Sequence, residues 1–554
     1  MHSGQLKTLT APGGQQTAYE YDGFLLTGTQ WNGPVSGALG YEYNHYFEPT
    51  RQLLNGMAVD WQFNADSQLI QAGDLSLNYG PIHGLLTSTQ LGSLYTGQNY
   101  NALGELSEYS ASQYGSVLYH YALHRDDVGR INGITENLGV IPTEYQYLYD
   151  QHNRLAQVLK NGISVQSWQY DSNGNRTHEN GSLVAQYDAQ DRLLQYGDNQ
   201  YRYTANGERT QKTNAISGET TDYHYDAFSN LRTVTLPDST QIEYLIDGQN
   251  RRVGKIRNGI QEQGFLYQDQ LNPVAELDGN NNVTARFIYA DKGHVPSYMI
   301  KNGNNYRIVS DHLGSVRLVV NTSNGEIAQR MDYDAWGNVT NDTNPGFQPF
   351  GYAGGIYDRD TELVRFGARD YDPEVGRWTT KDPIGFGGGD LNVYQYSASN
   401  PINYRDENGL WVVQAVGGFV GFASGAYGAY LANGSVTDIL VAGAVGGVVG
   451  VIAPSTAVRG VFRNMATSGA ISGFESFGGQ VIANTIQGRS ALGCVGWAAV
   501  AGSSVGGFLG SSIVRPYSDA IDKMTESTFQ SMSTLFFGVL SHHVYTINNM
   551  QRPK

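Results

Sequence analysis

The sequence predicts a mainly β fold in which hairpins stack side by side into one long sheet. Three observations predict it: tyrosine is abundant with 38 copies, glycine stands at 69, and a short tyrosine-led pattern recurs along much of the chain. Tyrosine favours strands and glycine favours tight turns, whereas helical soluble enzymes are usually rich in Ala, Leu, Glu and Lys. A chain of 554 residues is long for one ordinary domain, but a repeat architecture grows by adding units.

The recurring pattern is an aromatic-x-aromatic triplet followed by Asp or Asn. A turn and an Arg-Leu-like pair tend to follow, as in Asn153-Arg154-Leu155 and Asp191-Arg192-Leu193. In the best-formed stretch the spacing is roughly 16 to 23 residues, a normal size for a two-stranded repeat. The copies are Tyr19-Glu20-Tyr21-Asp22, Tyr41-Glu42-Tyr43-Asn44, Tyr147-Leu148-Tyr149-Asp150, Trp168-Gln169-Tyr170-Asp171, Gln186-Tyr187-Asp188, Tyr201-Arg202-Tyr203-Thr204, Tyr223-His224-Tyr225-Asp226 and Asp332-Tyr333-Asp334.

The geometry of a strand explains why such a unit would repeat. Side chains alternate along a strand, so the two rings share one face, while the Asp or Asn that follows turns the chain. One hairpin cannot bury its apolar face alone, so the hairpins should join into a long sheet that twists and curls. Periodicity alone leaves a tyrosine-rich β-propeller or β-sandwich open as the alternative.

Charge and cysteine content exclude several classes of function. The formal net charge of −16 argues against a nucleic-acid-binding surface, because phosphate contacts need clustered Lys and Arg. The single cysteine, Cys494, rules out an intramolecular disulfide and a cysteine-based metal site. His312 and the adjacent pair His542 and His543 show no metal-ligand pattern, so we predict no metal and no cofactor. The start, Met1 to Gln5, has no apolar core of a signal peptide, which indicates another export route or a fragment of a longer protein.

Longer motifs follow the repeats. They are Asp311-His312-Leu313-Gly314-Ser315-Val316-Arg317, Tyr333-Asp334-Ala335-Trp336-Gly337, Phe350-Gly351-Tyr352, Arg365-Phe366-Gly367-Ala368-Arg369-Asp370-Tyr371-Asp372-Pro373, Gly376-Arg377-Trp378, Asp382-Pro383-Ile384-Gly385, Asn392-Val393-Tyr394, Asn400-Pro401 and Asp406-Glu407-Asn408-Gly409-Leu410. These motifs resemble the Rhs repeat-associated core of Rhs/YD-repeat proteins, a family that includes bacterial polymorphic toxins and the C components of Tc toxins. The resemblance covers about residues 15 to 410.

The resemblance implies a fold and a division of the chain. In this family the repeats wind into a hollow β-cocoon, the core plugs one end, and the chain after the core is a variable passenger that is often a toxin. The implied domains are a YD-repeat β-hairpin shell at 1–340, the core at 341–410, and a variable Gly/Ala-rich, mainly α domain at 411–554. About 400 residues of repeats are few for a closed shell, so we expect a partial cocoon.

The resemblance also places a self-cleaving aspartic protease site. Its working residues are Arg369, Asp382 and Asp406, and the cut falls between Leu410 and Trp411. Two neighbouring carboxyl groups can share the work of activating water and donating a proton, because like charges push their pKa values apart. An arginine can hold a carboxylate or polarise the scissile carbonyl. Taken without the family, Asp-Pro and Asp-x-x-Gly are common turn sequences.

One position departs from the family pattern. The residue after the second aspartate is usually Pro, and here it is Glu407. The loss of Pro frees the local backbone, and the added carboxylate beside Asp406 is expected to raise nearby carboxyl pKa values. Cleavage would then be slower or absent.

The composition changes sharply after Leu410. Three runs contain no charged residue, Leu410 to Thr437, Ile439 to Val458 and Ala491 to Val514, and glycine often recurs at every fourth position. On a helix such glycines share a face that allows close helix packing, and two of the runs are long enough to cross a membrane. Membrane insertion, a soluble packed helical domain and disorder are the open alternatives. No nuclease, deaminase, ADP-ribosylating or protease signature is visible in this tail.

Three functions fit these observations. The first is a secreted delivery protein whose shell encloses a C-terminal effector, possible partners being a cognate immunity protein and a secretion-system carrier. The second is a cell-surface protein whose repeats bind a partner and whose apolar tail anchors it to a membrane. The third is a truncated remnant without activity. A free fragment beginning at Trp411 would favour the first hypothesis, and an uncut chain in the membrane fraction would favour the second.

Overall fold

The protein is described by a computed structural model that covers residues 5–81, 84–139, 141–388, 390–410 and 412–414. The chain begins with a sheet of 18 strands. Its strands are β1 (Thr8–Thr10), β2 (Gln16–Asp22), β3 (Leu25–Asn32), β4 (Gly37–Tyr43), β5 (Pro49–Leu54), β6 (Met57–Phe63), β7 (Leu69–Ala72), β8 (Leu75–Tyr79), β9 (Leu86–Leu91), β10 (Leu94–Tyr100), β11 (Leu106–Gln113), β12 (Ser116–Arg125), β13 (Ile131–Asn137), β14 (Thr143–Tyr149), β15 (Leu155–Lys160), β16 (Ile163–Tyr170), β17 (Arg176–Glu179) and β18 (Ser182–Leu183).

A second sheet of 16 strands follows, and in both sheets each strand pairs antiparallel with its neighbour in sequence. Its strands are β19 (Ala185–Tyr187), β20 (Leu193–Tyr196), β21 (Asn199–Tyr203), β22 (Arg209–Asn214), β23 (Thr220–Tyr225), β24 (Leu231–Thr235), β25 (Gln241–Ile246), β26 (Arg252–Arg257), β27 (Ile260–Tyr267), β28 (Pro273–Leu277), β29 (Val283–Ile288), β30 (Tyr298–Lys301), β31 (Asn304–Ser310), β32 (Val316–Asn321), β33 (Ile327–Tyr333) and β34 (Val339–Asp342).

The core region forms smaller elements after these sheets. A four-stranded sheet comes first, and a two-stranded pair ends the described chain. The elements are β35 (Ile356–Asp358), β36 (Leu363–Phe366), β37 (Arg369–Asp372), β38 (Arg377–Trp378), β39 (Tyr404–Arg405), β40 (Val413–Gln414) and three short 3₁₀ turns, Tyr352–Gly354, Gly385–Gly388 and Ser397–Ser399.

The aspartate of the repeat organises the turn that follows it. Asp150 Oδ1 accepts hydrogen bonds from the backbone N–H groups of His152 at 2.8 Å and Arg154 at 3.0 Å, and Oδ2 accepts from Arg154 Nε at 2.7 Å. Asn153 takes a left-handed conformation, with φ of 64°, which Asn tolerates better than most residues. The same aspartate–arginine clasp recurs in Asp126–Arg130, Asp188–Arg192 and Asp247–Arg251.

The second tyrosine of the repeat joins each unit to the one before it. Tyr170 donates its hydroxyl to the backbone oxygen of Leu155 at 2.6 Å, and the Arg154 guanidinium lies 4.6 Å from the centre of its ring. The hydroxyl therefore satisfies a carbonyl beside the preceding turn, and the ring shields that turn's arginine. Equivalent hydroxyl-to-carbonyl bonds are made by Tyr43, Tyr79, Tyr100, Tyr187, Tyr267 and Tyr289.

Substituting one of these tyrosines tests whether its hydroxyl stabilises the contact between neighbouring units. We expect Tyr170→Phe to lower the free energy of unfolding by about 1 kcal/mol, because the Leu155 carbonyl loses its partner while the ring stays in place. Tyr114→Phe is the matched control, since Tyr114 is 77% exposed and its change should have almost no effect. Denaturant titration followed by tryptophan fluorescence measures both, and equal effects would contradict this role of the hydroxyl.

The two sheets pack on each other through the hairpin turns of the first. A buried apolar cluster combines Trp31 and Leu54 from the first sheet with Phe265 and Phe287 from the second. Polar contacts also join the two sheets. Tyr298 of the second sheet donates its hydroxyl to Ala72 O of the first at 3.1 Å, and Ser93, in a turn of the first sheet, donates to Thr322 O at 2.7 Å. Successive hairpins of the first sheet thus meet successive strands of the second.

Buried charges fix the core region to the second sheet. Asp370 on β37 binds Arg252 on β26 at 2.8 Å. Lys255, which also lies on β26, binds Asp358 on β35 at 2.7 Å. Arg209 on β22 pairs with Asp372. A buried charge is tolerated when it is paired and hydrogen-bonded. These pairs therefore determine where the core region packs against the second sheet.

The predicted mainly β fold of antiparallel hairpins is confirmed, but the hairpins are divided between two sheets and do not form the single long sheet that was predicted. The predicted boundary between shell and core, at residues 340 and 341, falls inside β34, the last strand of the second sheet. The mainly α C-terminal domain predicted for 411–554 lies outside the described residues, apart from 412–414. Within the described ranges, no helix is long and apolar enough to cross a membrane.

Candidate functional site

The structure brings Arg369, Asp382 and Asp406 together, although they are distant in sequence. Arg369 begins β37, Asp382 follows β38, and Asp406 follows β39. The Nη2 atom of Arg369 lies 2.8 Å from Asp382 Oδ2 and 3.1 Å from Asp406 Oδ2, and the three side chains are between 2% and 8% exposed. One guanidinium thus holds two buried carboxylates, as a planar fork of donors can.

Arg369 also binds the backbone near the predicted cut. Its Nε donates to the oxygen of Gly409 at 2.5 Å, and its guanidinium lies 4.1 Å from the ring centre of Trp378. Burial lowers the pKa of Arg369 from its ordinary value, while Asp406 and Asp382 oppose that shift. Arg369 therefore fixes the carboxylates and the chain before Leu410 in one arrangement.

The segment around Leu410 is the loop of a short hairpin, which we call the Leu410 hairpin (residues 404–414). Its strands β39 and β40 pair with Tyr404 opposite Gln414 and Arg405 opposite Val413. Within the loop, the N–H of Leu410 donates to Asp406 Oδ1 at 3.0 Å. Asp406 thus uses one oxygen for Arg369 and the other for the backbone of the residue before the predicted cut. Trp411, on the other side of that bond, lies outside the described residues.

Asp382 lies near the carbonyl group of Leu410. Gly388 packs between them, because a Cβ atom there would be 2.8 Å from Asp382 Oδ2 and 3.0 Å from Leu410 O. These groups line a small cleft, the Asp382 cleft, with room for about one water molecule. Its lining residues are Arg369, Asp382, Gly385, Gly388, Asp390, Asn392, Val393, Gln395, Asp406, Leu410 and Val412.

Burial raises the pKa of Asp382 above its ordinary value, although Arg369 and the backbone N–H of Ile384 favour the ionised form. A carboxyl group with a raised pKa keeps its proton to higher pH and can serve as an acid. The cleft therefore combines a carboxyl group that can carry a proton, space for water and a peptide carbonyl. A proton donor, a water molecule and a carbonyl are the groups that acid-catalysed hydrolysis of a peptide bond requires.

Glu407 turns away from the carboxylates of the cleft. It binds Arg405 Nε at 2.5 Å and lies 3.4 Å from His294 Nδ1. Burial opposes ionisation of Glu407, but His294 and Arg405 hold its pKa below the usual range. At Asp382 burial is the main cause of the raised pKa, and the expected effect of Glu407 on the carboxyl groups next to it stays a prediction.

Gly388, Asp390, Gln395 and Val412 of the cleft were not singled out from the sequence. Gly388 belongs to the run from Gly385 to Gly389, whose glycine density was the available signal of a close approach. Asp390 follows that run, and nothing in its sequence context marks it. His312, which shows no metal-ligand pattern in the sequence, is buried, and its Nε2 lies 2.9 Å from Ile402 O. Among the described residues no group of three or more His, Cys, Asp or Glu side chains could hold a metal ion; His542 and His543 lie outside them.

Comparisons with curated proteins give two kinds of relatives. Teneurin-3 of Danio rerio is 28% identical over 69% of this chain and 15% of its own length, and Teneurin-3 of Mus musculus is 29% identical over 67% and 14%. The tRNA3(Ser)-specific nuclease WapA of Bacillus spizizenii is 32% identical over 50% of this chain and 12% of its own length. The chain thus spans about one seventh of the teneurins it matches.

Comparison with solved structures supports the same fold. The crystal structure of TcdB2-TccC3 covers 74% of this chain with a TM-score of 0.58 at 16% identity, and this chain covers 25% of it. A second crystal structure of that complex, without its hypervariable C-terminal region, covers 72% with a TM-score of 0.53 at 18% identity, and this chain covers 22% of it. At such identities the likeness shows the fold alone.

A family profile described as Teneurin YD-shell matches residues 1–402, which is well over half of the chain. The tyrosine–aspartate repeats, their serial antiparallel hairpins and the relatives all agree with this match. The resemblance drawn from the sequence is confirmed: the chain belongs to the Teneurin YD-shell family and is an Rhs/YD-repeat protein.

Proposed function

We propose that the chain is the shell and core of an Rhs-type toxin protein, which cuts its own backbone after Leu410 and frees its C-terminal segment. The relative that supports such an effector protein is the tRNA3(Ser)-specific nuclease WapA, which is 32% identical over half of this chain. The observation that carries the proposal is the convergence of Arg369, Asp382 and Asp406 on the backbone of Gly409 and Leu410.

The proposed chemistry is a single hydrolysis within the chain. Arg369 and Asp406 position the backbone by binding Gly409 O and Leu410 N–H, which fixes the carbonyl of Leu410 beside the cleft. Asp382, with its raised pKa, supplies a proton to the breaking bond. Holding the reacting groups in place makes the reaction intramolecular and so lowers its entropic cost.

Intact-mass spectrometry of the purified full chain tests the proposal. We expect two species, one ending at Leu410 and one beginning at Trp411, and a single uncut species for Asp382→Asn, which cannot donate the proton. Asp66→Asn is the control, because Asp66 is an exposed turn residue and its change should leave cutting intact. An uncut native chain would refute the proposal, and its recovery with membranes would favour a surface protein anchored by its tail.

The freed segment, residues 411–554, is proposed to act on membranes. Its uncharged runs, such as Ile439 to Val458, are about as long as the hydrocarbon core is thick. A secreted or cell-surface location, a secretion-system carrier and a cognate immunity protein belong to the same proposal, and so does a partial cocoon that hides the apolar segment from water. Dye release from anionic lipid vesicles by the cut chain, compared with uncut Asp382→Asn, is the matching test.

A further inference from the structure

We propose that Asn302 is a site of spontaneous chemical modification, at which the asparagine amide is converted through a cyclic imide into aspartate and isoaspartate. The inference does not depend on the proposed self-cleavage. In this reaction the backbone nitrogen of the next residue attacks the amide carbon of the asparagine side chain. Glycine is the most favourable next residue, because it has no side chain to obstruct that approach and its backbone is free to rotate.

Asn302 and Gly303 form the two-residue turn between β30 and β31, and the described residues contain five Asn-Gly turns of this kind. In each turn φ lies between 47° and 51° for the asparagine and between 75° and 84° for the glycine, as in a type I′ hairpin turn. All five asparagines are exposed, so access to solvent does not distinguish them. They are Asn55, Asn161, Asn180, Asn258 and Asn302.

In four of these turns the asparagine side chain is bound to a strand outside its own hairpin. Asn161 Oδ1 accepts from the N–H of Glu144 on β14 at 2.9 Å. This bond must break before the amide carbon can turn to the glycine nitrogen, so it should slow the reaction. Equivalent bonds join Asn55 to the N–H of Ala38 at 2.8 Å, Asn180 to that of Ser167 at 3.0 Å and Asn258 to that of Gln241 at 2.8 Å.

Asn302 lacks this bond because the neighbouring strand ends too early. In the other four turns, pairing with the outer strand reaches the residue directly before the asparagine, as Tyr145 opposite Lys160 does for Asn161. Pairing between β29 and β30 stops at Ile300, two residues before Asn302.

The reacting groups of this turn are therefore free within the described part of the chain. The Asn302 side chain makes no hydrogen bond there, and only its backbone oxygen accepts one, from Asn304 Nδ2 at 3.3 Å. The N–H of Gly303, the attacking group, donates to no backbone oxygen of the described residues. The asparagine amide can thus turn toward the glycine nitrogen without breaking a bond to the sheet.

The reaction balances with water as the only added reactant. The nitrogen of Gly303 forms a bond to Cγ of Asn302 and loses its proton, and the side-chain nitrogen leaves as ammonia with that proton. Water then opens the imide at one of its two carbonyl groups. Opening at one carbonyl gives aspartate. Opening at the other gives isoaspartate, in which the main chain runs through the former side chain and is one methylene longer.

Isoaspartate at this position would disturb the end of the hairpin. Lys301 pairs with Asn304 across the turn, and a two-residue turn cannot absorb an extra methylene without shifting that pair. Lys301 Nζ also donates to Phe347 O at 2.7 Å. A shift of Lys301 would therefore reach the segment between β34 and β35.

Peptide mapping of the full chain during incubation in mildly alkaline buffer measures the conversion at each turn from the mass gained when an amide becomes an acid. We expect Asn302 to convert about five-fold faster than Asn161, which is the rate equivalent of one hydrogen bond. Asn161 is the matched control, because Lys160-Asn161-Gly162 and Lys301-Asn302-Gly303 are the same tripeptide. Equal rates would overturn the inference. The same ratio in denaturant, where neither turn is formed, would overturn it as well.

Methyl transfer by protein-isoaspartate methyltransferase detects the product independently of its mass. Asn302→Gln should lower the number of methyl groups accepted after incubation, because glutamine would have to form a larger ring that closes more slowly. Asn161→Gln should leave that number nearly unchanged. Both variants place the same residue in the same kind of turn, so a general effect on folding would change both alike. Equal methyl acceptance by the two variants would contradict the assignment of Asn302.

Discussion

Gly388→Ala should leave the chain uncut while the fold persists. The added Cβ atom would be 2.8 Å from Asp382 Oδ2 and 3.0 Å from Leu410 O, and both contacts are closer than side chains normally allow. The carboxyl group or the carbonyl must then move apart, and a displacement of about 1 Å can cost about 100-fold in rate. We expect intact mass after overnight incubation to show only the full-length species.

The neighbouring glycine provides the control for this experiment. A Cβ atom on Gly387 would meet nothing closer than Ile384 Cβ at 3.8 Å, which is ordinary contact. Gly387→Ala should therefore be cut like the native chain. Cutting by Gly388→Ala at the native rate would mean that Asp382 and the Leu410 carbonyl do not react with each other.

Arg369→Ala should both abolish cutting and destabilise the protein by about 3–5 kcal/mol. The substitution leaves Asp382 and Asp406 buried without their shared cation, and it removes the donor to Gly409 O. A buried charge that has lost its partner is strongly destabilising. The loss of the Arg369 side chain also frees the loop before Leu410.

Stability should be compared between chains that are both uncut, so Gly388→Ala is the reference for Arg369→Ala. Denaturant titration gives the difference, and Arg202→Ala, made in the reference chain, is the control because Arg202 is exposed on β21. Arg369→Lys should recover little activity, since one ammonium group cannot reproduce the fork that binds two carboxylates and a carbonyl. A loss of stability no greater than that of Arg202→Ala would contradict the role assigned to Arg369.

The hairpins could be predicted from the sequence because each repeat contains both a strand pattern and a turn pattern. Tyr170 marks the strand, and the aspartate after it marks the turn, as periodicity and turn chemistry require. The sequence did not reveal that this tyrosine reaches back to Leu155 O, nor that Arg154 is held by Asp150. Those bonds join neighbouring units, and they depend on how strands lie beside each other in space.

The site was predicted only through the family resemblance. Asp382 and Asp406 lie far apart in sequence, and only the packing of the core brings them onto Arg369. Gly388 and Asp390 were missed because only the folded core brings them to the cleft. Composition cannot reveal this proximity, since any glycine-rich turn with an acidic residue would look the same.

Because β39 and β40 of the Leu410 hairpin pair with each other, a cut after Leu410 would not by itself release the segment that follows. A break after Leu410 lies between β39 and β40, so Val413 and Gln414 would still be hydrogen-bonded to Arg405 and Tyr404 once the bond is gone. The nicked ends would remain neighbours until those few bonds open. If the chain is cut as proposed, cleavage and separation would be two distinct events, and the second would require β40 to be pulled away from β39.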